Sequence, residues 1–131
     1  MRGLLLPLLL ALAGCGTLGT SRDELQQAQL MHHIDLRWGR LENAAQRVSP
    51  ELRGAFLTSW AQRAGAIELQ DIEVSALVLN DAGDAADVLV TVTYIERDTM
   101  SVKSALLPEK WTRVDGIWLC SKPAEPPPPE T

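Results

Sequence analysis

Apolar side chains return every three or four positions between residues 30 and 48: Leu30, Ile34, Trp38, Leu41, Ala45 and Val48. That spacing is one face of a helix, with Arg37, Arg40, Glu42 and Gln46 on its other sides. Ser21, followed three residues later by Glu24, supplies a capping box and predicts the helix start. Gly39 weakens such a helix by about 1 kcal/mol relative to alanine without having to break it. Ser49 and Pro50 then predict a second start, because proline at the first helical position sacrifices an N–H that has no partner anyway. Leu52, Phe56 and Trp60 mark the buried face of this second helix, and Gly65 ends it.

Beyond Gly65 the period falls to two. Ile72, Val74, Ala76 and Val78 alternate with Glu73, Ser75, Leu77 and Leu79, while Ile67 and Leu69 have the opposite parity. A bulge near Gln70–Asp71 would bring both halves to one face. Val88, Val90, Val92 and Tyr94 form the more apolar side of a second strand, and residues 102–114 a third. Asp115-Gly116 between apolar runs predicts a two-residue type I′ hairpin. Pairing outward from it sets Val114 opposite Ile117, Arg113 opposite Trp118, Thr112 opposite Leu119 and Trp111 opposite Cys120. Trp111, Trp118 and Cys120 then share a face, where the thiol acts as a small hydrophobe. Residues 123–131, "PAEPPPPET", are expected to be an extended, disordered tail.

The first residues have a different character. Arg2 precedes an apolar stretch, Leu4 to Ala13, of about ten residues, half of what a membrane-spanning helix needs. A basic start, a short apolar core and small residues after it describe an export signal. Its end, Leu12-Ala13-Gly14-Cys15, resembles the lipobox of bacterial lipoproteins; the blander alternatives are a buried cysteine in a hydrophobic helix and a cleaved secretory signal with an incidental cysteine. The resemblance implies removal of residues 1–14, a diacylglyceryl thioether on Cys15 and acylation of its new amino group. Two or three chains anchor stably where one does not, since each buried CH₂ contributes about 0.8 kcal/mol. Gly16 in place of aspartate implies sorting to the outer membrane, facing the periplasm. Residues 15–21 would be the lipidated cysteine and its tether, and residues 22–122 a single domain. A net charge of −5, without basic clusters, argues against nucleic acid and against adhesion to anionic headgroups. With Cys15 lipidated, Cys120 has no disulfide partner.

Helices first and a four-stranded antiparallel meander after is an α+β order. The segment "HIDLRWGRLENAA…SPELRGAFLTSW", the long strands and the closing "KWTRVDGIWLC" resemble the nuclear-transport-factor-2-like (cystatin-like) superfamily, which curls a bent sheet around helices. Many of its members have three helices, whereas two are legible here. A small α+β sandwich of another topology fits the same order.

The resemblance also directs attention to chemistry, because relatives include isomerases and dehydratases. Tyr94, the one tyrosine, points to the apolar side of its strand. The acidic partners do not join it: Glu73 and Asp87 have solvent-facing parity, and Asp35 is off the apolar stripe. His32 and His33, as neighbours on a helix, diverge by about 100° and cannot chelate one ion as residues at i and i+4 can. They are expected to be partly exposed, with no metal and no cofactor. Nucleophile-elbow, phosphate-loop and dinucleotide signatures are absent. The expectation is a non-catalytic envelope lipoprotein whose domain contacts an envelope protein. The alternative is a small-ligand carrier, with a pocket between helices and sheet. Trp38, Trp60, Tyr94, Trp111 and Trp118 would line such a pocket or fill the core instead.

Overall fold

A computed structural model describes residues 20–129. The lipobox and residues 1–19 lie outside the described residues. Among the described residues three α-helices precede the sheet: α1 (Ser21–Arg37), α2 (Leu41–Ala45) and, after a 3₁₀ turn at Pro50–Leu52, α3 (Arg53–Arg63). The strands β1 (Ile67–Leu79), β2 (Ala85–Glu96), β3 (Ser101–Val114) and β4 (Ile117–Lys122) pair in sequence order, each antiparallel to the next. Among the described residues, no helix is long and apolar enough to cross a membrane.

The helix count differs from the two expected because Gly39 does break the first pattern. With φ +73° it takes the left-handed conformation that glycine adopts without steric cost. The Gly39 N–H then donates to the Leu36 carbonyl (3.1 Å) and the Arg40 N–H to that of Asp35 (2.8 Å), closing α1 with a Schellman motif. The helix also starts one residue earlier than the Ser21 signal suggested. Thr20 Oγ1 accepts from the Asp23 N–H and Asp23 Oδ2 from the Thr20 N–H, so the capping box is Thr20–Asp23. Ser21 instead donates to the Gly83 carbonyl in the β1–β2 turn, tying the helix to the sheet. Thr20 and Ser21 therefore belong to the domain, not to a tether.

The buried face of α1 is not the apolar stripe of the sequence. Leu25, Gln29, His32, His33 and Leu36 point inward, whereas Leu30 and Trp38 are exposed (53% and 63%). The spacing 25, 29, 32, 36 is as helical as the other. It is the less legible of the two because two of its positions are polar, and polar groups enter a core only where partners await them.

The sheet follows the expected alternation closely in its centre. Ala86, Val88, Val90, Val92 and Tyr94 are all buried on the concave side of β2. The β1–β2 register slips between Leu69 and Asp71, placing the anticipated bulge at Gln70. A second slip, between Val74 and Ala76, exchanges the faces again. Leu77 and Leu79 therefore turn inward and Val78 is exposed at 69%. The closing hairpin has the expected register throughout, from Val114↔Ile117 to Trp111↔Cys120. Positive φ at both Asp115 (+51°) and Gly116 (+79°) is the type I′ geometry.

The tail differs most from expectation. Residues 123–129 run as coil, yet Ala124 and Pro127 are buried. Trp60 Nε1 donates to the Ala124 carbonyl (3.1 Å) and Arg63 Nε to that of Pro127 (2.7 Å). A proline-rich strip has no N–H groups to satisfy at most positions, so its carbonyls can cover α3 without joining a sheet.

Candidate functional site

The interior between α1 and the sheet holds a polar cluster. Glu109 lies on β3 two residues before Trp111 and shares its inward face, with only 3% exposure. His33 Nε2 donates to both carboxylate oxygens (2.9 and 3.1 Å), and Trp111 Nε1 donates to Oε1 (3.0 Å). Burial alone would push the Glu109 carboxyl up. The hydrogen bond and charge of His33, with the Trp111 N–H, outweigh it and hold the group below its ordinary value.

His32 is fully buried beside this pair, with Trp111 edge-on to its ring at 5.5 Å and Phe56 at 5.7 Å. Its Nδ1 lies 2.9 Å from the Ala44 carbonyl. A carbonyl only accepts, so Nδ1 carries the proton and Nε2 presents a lone pair. That Nε2 is buried without a partner. Burial pulls the His32 pKa down to about 4, with the charges of His33 and Arg47 adding to it; the Glu109 charge and the Ala44 bond oppose. Both histidines are thus interior groups, contrary to the expectation of partial exposure. Cys120, opposite Trp111, is also fully buried, and burial together with the Glu109 charge pushes its thiol up. Burial keeps it a protonated thiol and not a free nucleophile.

Open clefts border α1. One of about 470 Å³ lies between α1 and β1, walled by Leu30, Ile34, Ile72, Val74 and Leu77. Gln29 and His33 line it, and both amide atoms of Gln29 are buried without partners. Another, of about 270 Å³, lies at the end of α1 and is lined by Trp38 and Trp60, with the Arg37 guanidinium 4.4 Å from the Trp38 ring centre. The five aromatic residues singled out from the sequence therefore separate. Tyr94, Trp111 and Trp118 fill the core, Trp60 is buried beneath the tail, and Trp38 is a surface residue at a cleft rather than core.

Of the acidic candidates, Glu73 and Asp87 are exposed as parity required. Asp35 is buried and holds Arg40 Nε (2.9 Å) and Arg47 Nη1 (3.2 Å), bridging α1 to the segment after α2. Glu109 was missed, although its parity with Trp111 placed it inward. The α1 position that it serves was hidden by the wrong choice of helix face.

An α+β roll with helices on the concave side of a four-stranded meander is the nuclear-transport-factor-2-like, or cystatin-like, class of fold. Solved structures agree. The chain is similar to an NTF-2 like protein of unknown function from Shewanella oneidensis MR-1 (TM-score 0.58, 13% identity, 76% of this chain and 93% of that one). It is also similar to a protein of unknown function with a cystatin-like fold from Nostoc punctiforme (0.52, 16%, 82% and 94%). A ketosteroid isomerase-like protein from Erwinia carotovora atroseptica superposes comparably (0.58, 11%, 75% and 88%). At these identities the likeness is one of fold. No protein-family model matches the sequence, and no curated protein does.

Proposed function

We propose that this chain is a bacterial envelope lipoprotein, anchored through Cys15, whose nuclear-transport-factor-2-like domain works by binding a protein partner and not by catalysis. The observation that carries the anchor is Leu12-Ala13-Gly14-Cys15 at the end of a short apolar run. Gly16 favours the outer membrane's periplasmic face. Support for a non-catalytic role comes from the interior. Trp111, Trp118, Tyr94 and Cys120 are packed as core, and the Glu109 carboxylate is buried among them with His33 and Trp111 as its donors. A second reading, a small-ligand carrier, has one specific observation in its favour: the unpartnered Gln29 amide and His33 at the α1–β1 cleft.

The decisive test is Cys15→Ser in the full chain. Acyl labelling and detergent-dependent membrane partitioning should both be lost while the circular dichroism spectrum is kept. Membrane association that survives the substitution refutes the anchor.

A further inference from the structure

We infer that His32, Glu109 and Cys120 form a buried binding site for a divalent transition-metal ion of the zinc type. One donor atom from each residue lies within 4.8 Å of the other two, and all three residues are buried. They come from α1, β3 and β4, so only the folded chain assembles them.

The donor chemistry fits the ion. Zinc binds imidazole nitrogen, thiolate sulfur and carboxylate oxygen, at about 2.0–2.3 Å. Tetrahedral bonds of that length put neighbouring donor atoms about 3.5 Å apart, so each pair must close by no more than about 1.3 Å. Imidazole and thiolate together favour a borderline or soft metal over magnesium or calcium, which take all-oxygen sets.

The independent observation is His32 itself. Its Nδ1–H is committed to the Ala44 carbonyl, which leaves the lone pair of Nε2 buried without a partner. Metal-bound histidines are oriented in the same way, with the far ring nitrogen donating to a carbonyl or carboxylate. Glu109 has its own support, since His33 and Trp111 donate to it and fix its plane. Charge also balances. On binding, the Cys120 S–H bond breaks, its proton leaves to solvent and the sulfur lone pair bonds the metal. Thiolate and carboxylate then offset the two charges of the metal, which makes it far cheaper to bury than a free ion. Three protein donors leave one coordination position for a water or a ligand.

The test uses the full-length chain carrying Cys15→Ser, purified in detergent, so that Cys120 is its one thiol. Titration with Co²⁺, a spectroscopic stand-in for zinc, reads thiolate ligation directly as a near-ultraviolet charge-transfer band. One equivalent of Co²⁺ should produce the band, and Zn²⁺ should abolish it by displacement. Zinc at a hundredfold excess over its Kd should raise Tm by on the order of 10 °C. Adding Cys120→Ala should remove the band and the Tm shift. Absence of the band at saturating Co²⁺ overturns the site, as does metal uptake of unchanged stoichiometry in the Cys120→Ala chain. Should that variant fail to fold, the spectrum of the Cys15→Ser chain alone decides.

Discussion

The most direct measure of the polar interior is the pH dependence of stability carried by His32. An unfolded histidine has a pKa near 6.5, and in the folded chain burial brings this one down to about 4. The folded state thus resists a proton that the unfolded state accepts. Stability from this group is fully present above about pH 6.5 and is lost progressively as the pH falls towards 4. Each pKa unit corresponds to about 1.36 kcal/mol, so the whole loss is about 3 kcal/mol. The maximum slope is one proton, about 1.36 kcal/mol per pH unit. The groups that set this value are Glu109 from β3, His33 on the same helix, the Ala44 carbonyl and Arg47.

The assay is urea unfolding between pH 8 and 4, with a chelator present, comparing the wild-type chain with His32→Leu. Leucine has a similar volume and no proton to bind, so the difference between the two profiles isolates His32. The substitution also removes the donor to the Ala44 carbonyl, which lowers stability at every pH without adding slope. The wild type should lose about 3 kcal/mol more than the variant across the range. Parallel profiles would refute the burial of a neutral imidazole. Glu109 contributes in the same direction only below its ordinary value of 4.5, where its lowered folded pKa makes protonation destabilising.

Two further outcomes test the frame around this cluster. Gly116→Val should destabilise the domain by about 1–3 kcal/mol through backbone strain alone, because φ is +79° and nothing lies within 4 Å of the added Cβ; an unchanged urea midpoint would exclude the type I′ turn. Deleting residues 123–131 should cost about 1–3 kcal/mol and shift tryptophan fluorescence to the red, since the Ala124 and Pro127 carbonyls no longer meet Trp60 and Arg63. Unaltered stability and emission would mean that the tail does not cover α3.

What the sequence alone determined is whatever depends on local period and on turn chemistry. Alternation in β2 has period two, and any slip would put valines in water, so its buried face was legible. Asp115-Gly116 set the register of the last hairpin residue by residue, because few residue pairs accept two positive φ values. The helix-then-meander order was enough for the fold class. Tertiary structure decided the rest. Which face of α1 turns inward depended on Glu109, 76 residues from His33, being there to accept its hydrogen bond. Helical spacing fits two faces of this segment equally, and the hydrophobic count favoured the wrong one. The docking of the proline-rich tail likewise answers to distant partners, since its carbonyls meet Trp60 and Arg63. A buried polar group is tolerated only where another part of the chain satisfies it. No local pattern records that, and so the polar heart of this domain became visible only when its strands and helices came together.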